Sequence, residues 1–295
     1  MWPSYSFGGA LAVRHPILKT VAIAAMTPVF LSGISAAAVP AVRHIASGWW
    51  NSPEGLAALA ENPQVHYESD ALEQARSVAA ALPDAVARIE AIQGRRFAYP
   101  VTIGVYSSQA SFAAANGSGV SGAVGMMFLG RVMLSPALFA RQRQRMPAIL
   151  THELSHAHLR SWLSELDYLR LPQWFREGLA VMVSGGGGAE AVSESQARDA
   201  IRRDDHIAIE SSGSLFNLTA VKFEHAREIP DSSLRTQMAY RQAALFVAFL
   251  HDSDPVAFQK LLDGIYQARP FAEAASTAYA TDLPTLWSRF VQGGS

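Results

Sequence analysis

The chain has 295 residues, a net charge of −1 and a pI near 6.8, with 49% hydrophobic and 17% charged residues. This composition describes a folded chain with a sizeable core and excludes disorder, a long coiled coil and the basic surface of a dedicated nucleic-acid binder. There is no cysteine, which excludes disulfides, thiol catalysis and Cys-ligated metals and leaves the nine histidines and the carboxylates as metal ligands.

Residues Thr20 to Val42 carry no charge, and Arg14 and Lys19 precede them. About 20 apolar residues cross a bilayer as a helix, and basic residues hold their own flank in the cytoplasm. Residues 1–43 therefore read as a signal peptide, with small residues at Ala36 and Ala38 for cleavage, or as an uncleaved membrane anchor. A buried core helix is the alternative, and Pro28 and Pro40 weigh against it. Either export reading places the rest of the chain outside the cytoplasm, periplasmic or otherwise extracytoplasmic. Residues 44–62, with Trp49-Trp50, Pro53 and Gly55, read as a linker, and the tryptophan pair suits either a membrane interface or packing.

The stretch 63–69 suits a strand. From Asp70 to Gln93 apolar residues recur at helical spacing and Gly94 stops them, with a break expected before Pro83. Residues 100–106 alternate as a strand, and 123–128 and 131–135 flank Leu129-Gly130 as a hairpin. Helices follow over Met146–Leu159, Pro172–Val183, Ser193–Arg203 and Arg235–His251, with two short ones after Asp254, and Gly185–Gly188 reads as a flexible loop. Strands in the first half and helices in the second make an α+β fold, with residues 63–160 carrying the sheet and 161–295 a helical lobe.

The helix from Met146 contains His152-Glu153-Leu154-Ser155-His156. Four residues of helix turn about 400°, so the two imidazoles stand one above the other and can share a cation. Glu153, about 100° from His152, can address a water on that cation without binding it. This is what a zinc peptidase needs: two neutral imidazoles for Zn²⁺ and a carboxylate to take a proton from water. Downstream, Glu177 stands in the apolar stretch PQWFREGLAVMV. A carboxylate there is costly to bury unless paired or metal-bound, and it completes a His₂Glu ligand set with one position open.

HELSH followed by WFREGLA resembles the gluzincin metallopeptidases, and in particular the peptidase-MA-like domains of exported bacterial proteins. The likeness extends over residues 63 to 265, through the strand PVTIGVY, the segment AVGMMFLGRVMLSP and the helix MAYRQAALFVAFL. It implies a thermolysin-like core, a small mixed sheet followed by a helical lobe, with zinc on His152, His156 and Glu177 and Glu153 as general base. It also implies that Tyr240, in the helix where aminopeptidase-like gluzincins hold a catalytic tyrosine, donates to the oxyanion; His225 and His206 are alternatives. AVGMMF is then the sheet edge that takes an extended peptide or protein substrate by strand addition. Aminopeptidases of the group carry a glutamate in that strand for the substrate amine. Here it reads Gly125-Met126-Met127-Phe128, which points to an endopeptidase.

Such a site needs partners that orient the imidazoles. Gly178 to Met182 offers no acid, so backbone carbonyls, Asp167 or Glu165 are the candidates. That missing acid supports a second reading, a gluzincin-fold module that binds an extended peptide or an envelope partner with little or no turnover. His158 points away from the metal. The basic run Arg141–Arg145, and Glu224, Asp231 and Asp252, read as solvated charges, and Gly185–Gly188 lacks the context of a phosphate loop.

Overall fold

The computed structural model describes residues 40–213, 221–224 and 232–293. The elements run α1 (Pro40–Trp50), β1 (Ala57–Leu59), β2 (Asn62–Tyr67), α2 (Leu72–Gln93), β3 (Ile103–Val105), α3 (Gln109–Ala115), β4 (Gly125–Phe128) and β5 (Arg131–Leu134). Helices α4 (Pro136–Arg141), α5 (Met146–Trp162), α6 (Glu165–Arg170), α7 (Gln173–Ser184), α8 (Glu194–Arg202), α9 (Ser232–Ser253), α10 (Pro255–Tyr266), α11 (Phe271–Tyr279) and α12 (Leu283–Gly293) complete the described chain. The fold is α+β, a small mixed sheet followed by a helical lobe.

The five strands lie in the order β1-β2-β3-β5-β4. β3 is parallel to β2 and to β5, whereas β1 and β4 are antiparallel to their single neighbours. The central strand Ile103-Gly104-Val105 is buried on both faces, as its uninterrupted small and apolar residues require. β4 is therefore an edge strand, with no strand beyond it among the described residues. Leu129 and Gly130, which join it to β5, have φ of 51° and 79°, the left-handed pair that matches the strand twist in a two-residue hairpin.

Below the sheet, α5 packs on α2, β4 and β5. α7 packs on both α5 and α9 and is buried along nearly its whole length. Close approach of α7 to α9 needs a bare backbone: a Cβ on Gly178 would lie 2.6 Å from the Ala243 carbonyl oxygen. Trp174 and Phe175 of α7 anchor an aromatic cluster with Phe246 and Phe271, which Trp287 and Phe290 of α12 extend.

Several sequence expectations are corrected. Helix α2 continues through Pro83 without the expected break. Residues 44–62 are not a linker: α1 packs on α3, and Ala57–Leu59 adds a strand to the sheet. Three helices rather than two follow Asp254, and α6 was not foreseen. The uncharged run lies outside the described residues up to Val39, and among the described residues no helix is long and apolar enough to cross a membrane.

Candidate metal centre

Helix α5 presents His152 and His156 one turn apart, and α7, packed across it, brings Glu177 to the same point. The three side chains are nearly inaccessible, with 5%, 5% and 8% of their residue surfaces exposed. The two Nε2 atoms are 3.2 Å apart, and Glu177 Oε2 lies 3.4 Å from that of His152 and 3.6 Å from that of His156.

The far side of each ring shows what these atoms carry. His152 Nδ1 lies 2.8 Å from the Gly187 carbonyl oxygen, which only accepts, so Nδ1 holds the proton and Nε2 has a free lone pair. His156 Nδ1 lies 3.2 Å from the Tyr168 hydroxyl, which can accept from it or donate to it. In the tautomer where Nδ1 donates on both rings, two imidazole lone pairs and a carboxylate oxygen converge with no donor between them. Ligand atoms around a tetrahedral ion with bonds of about 2.0–2.1 Å are about 3.3–3.4 Å apart, the spacing found here. The group fits a metal ion without rearrangement.

The buried charges of the site also call for a cation. Burial opposes ionisation of Glu177, but His156 and His152 outweigh it and hold the carboxyl far below the usual range. Burial opposes a charge on His152, yet Glu177 and Glu153 raise its pKa. Glu153, half-buried beside the ligands, is raised by burial, with His152 and His156 pulling against that shift and the Met127 backbone N–H facing its carboxylate. A buried carboxylate such as Glu177 is expensive unless a cation answers it, and that cation is either a protonated imidazole or a metal ion.

The structure brings Tyr240 to the site as well. Its ring stacks on His152 with centroids 6.3 Å apart, and its phenol faces the Glu177 carboxylate; burial and that carboxylate raise its pKa well above the normal value. His206 is engaged elsewhere, packed on Trp287, and His225 lies outside the described residues. His158 is buried, with Nε2 2.9 Å from the Arg95 carbonyl and its ring edge-on to Phe97.

Sequence reasoning left the partners of the imidazoles open, and neither suggested acid fills that role. Asp167 bonds with Ser164 at the start of α6, and Glu165 accepts from Arg160. A backbone carbonyl, the other candidate, does serve at His152, carried there by the glycine loop after α7, whereas α6 carries Tyr168, which was not among the candidates, to His156. That loop is tied by backbone hydrogen bonds. Gly185 N–H bonds Met182 O and Gly186 N–H bonds Val181 O, a Schellman stop made possible by positive φ at both glycines. Gly187 lies so near α5 that a Cβ there would be 2.6 Å from the Ala148 carbonyl oxygen. A further relay was legible in principle, because Gln173 is one helical turn before Glu177. Its Nε2 donates to Glu177 Oε1 at 3.0 Å, and Arg176 in turn donates to Gln173 Oε1.

No known protein family, curated protein or solved structure matches the chain.

Proposed function

We propose that the chain is a zinc-dependent peptidase of the gluzincin type that cleaves within extended polypeptides outside the cytoplasm. The observation that carries this reading is the convergence of His152, His156 and Glu177 lone pairs at metal-ligand spacing, with Glu153 beside them. Two imidazoles and one carboxylate are a donor set that suits Zn²⁺ in catalytic sites. When bound, zinc supplies Lewis acidity to water and to a carbonyl oxygen.

The remaining steps belong to the chain. The edge strand β4 offers backbone groups to an extended substrate, and Gly125 brings that edge down onto Glu153: a Cβ there would be 3.0 Å from Glu153 Cγ. Glu153, its carboxyl raised by burial, takes a proton from the attacking water and returns it to the leaving amine. Tyr240, whose phenol keeps its proton, donates to the oxygen that becomes negative. Gly125–Phe128 has no carboxylate to grip a free amine, which favours cleavage inside a chain over trimming from its end.

The test is metal content together with turnover of an unstructured protein substrate by the full chain. One zinc per chain, lost in His156→Ala, and hydrolysis abolished in Glu153→Gln with zinc retained are expected; hydrolysis by Glu153→Gln at the unaltered rate would overturn the mechanism. One observation favours a second reading. The partners of the imidazoles are a carbonyl and a phenol rather than carboxylates, which leaves the rings less basic and suits a module that binds peptide without cleaving it. Zinc and peptide binding with no turnover by the unaltered chain would select that reading.

A further inference from the structure

Helix α1 is apolar on the side where a surface helix is ordinarily polar. Its inner side is seated on the domain. Ser47 Oγ donates to the Ala114 carbonyl at 2.9 Å, and a Cβ on Gly48 would lie 2.7 Å from Gly117 and 2.8 Å from the Phe128 ring. On the outer side Val42, Ile45 and Trp49 form one stripe at three- and four-residue spacing, 40%, 46% and 47% exposed, and Trp50 beside them is 82% exposed. Exposed Ala46 falls within the same face, and the single charge near it, Arg43, stands at its margin.

We propose that this outer face of α1 lies in the interfacial layer of a lipid bilayer, parallel to the membrane plane. Its eleven residues are too few to span a bilayer. The uncharged run that begins at Thr20 ends at Val42, inside α1, so no polar spacer separates the two. Trp50 is about 12 Å along the helix from Val42, within reach of the same interface. Indole side chains favour that depth, where an apolar ring meets water on one side. A helix with one apolar face is the form in which short segments lie on membranes. A second copy of the chain is the rival occupant, but one stripe along eleven residues is small beside the area a stable dimer buries.

The absence of cysteine permits a direct test, because any introduced thiol is unique. The full chain is reconstituted into vesicles of phosphatidylcholine and phosphatidylglycerol with a spin label at Ile45→Cys, Trp50→Cys or, as a control, Val256→Cys, which is 65% exposed on α10. Collision rates with oxygen and with a water-soluble nickel chelate are then compared. The expected result is an oxygen-to-nickel ratio several-fold higher at 45 and at 50 than at 256. A ratio equal to that at 256 would place the face in water and overturn the proposal. A fall in both collision rates together would mean that protein, a second copy or a partner, covers the face, and would overturn it equally.

Discussion

The Nδ1–H of His152 donates a hydrogen bond to the carbonyl oxygen of Gly187, 2.8 Å away on the loop that follows α7. This bond fixes the tautomer in which Nε2 faces Glu177, so a loop with no side-chain chemistry of its own decides what His152 can bind.

Substituting Gly187→Ala should therefore weaken metal binding. The new Cβ would press within 2.6 Å of the Ala148 carbonyl oxygen, and the loop must move away from α5, taking the Gly187 carbonyl with it. Loss of such an orienting partner typically costs about 10–100-fold in metal affinity. Competition against a chelator measures it, and unaltered affinity would show that the carbonyl does not orient the ring.

Gln173 supports the other ligand. Its amide donates to Glu177 Oε1 and leaves Oε2 turned to the imidazoles. In Gln173→Leu the carboxylate loses that donor and Arg176 loses its acceptor, both in a buried setting. A fall of about 10-fold or more in metal affinity is expected, by the same chelator competition. If affinity holds and only stability falls, the relay is packing rather than positioning.

Gly178 adjoins Glu177 and sets the distance between α7 and α9. Gly178→Ala would place a methyl 2.6 Å from backbone at Ala243 and 2.9 Å from Val247 Cγ2. Overpacking of this kind costs about 1–3 kcal/mol. Urea unfolding should show the loss as a lower midpoint at unchanged slope. A midpoint at or above that of the unaltered chain would mean the helices separate freely.

The pairing of Arg145 with Glu190 ties the start of α5 to the glycine loop, with Nη2 to Oε2 at 2.6 Å. Burial works against the Glu190 carboxylate, but bonds from Arg145 and from backbone N–H groups, including Gly188, outweigh it and hold the pKa below the ordinary 4.5. A depressed carboxylate pKa stabilises the fold above the unfolded value and loses that contribution as pH falls through the folded one. The urea midpoint of the unaltered chain should exceed that of Glu190→Gln at pH 7, and the gap should narrow below about pH 4.5. A gap independent of pH would assign the effect to packing.

Much of the sheet was legible because its signals are local. β-branched alternation marks β3, and Leu129-Gly130 marks the hairpin that contains the edge strand. Both imidazoles and Glu177 were legible for a similar reason, since helical spacing alone aligns residues 152 and 156, and a lone carboxylate among Trp174, Phe175 and Leu179 needs a partner. Pro83 misled because its penalty is local, while the burial of Val78, Leu82, Ala85 and Ile89 along one face favours a continuous helix.

What the sequence determined by itself is the set of groups able to bind a cation: with no cysteine, they had to be histidine and carboxylate, and helical spacing put His152 and His156 on one face of α5. What only the tertiary structure decided is which atoms orient them. Tyr168 reaches His156 from a short helix, and Gly187 reaches His152 from a loop, through contacts between segments distant along the chain. A carbonyl oxygen is present at every residue and a phenol in every tyrosine. Their identity therefore carries no signal, and only the packing of α5, α6 and α7 selects the two that act.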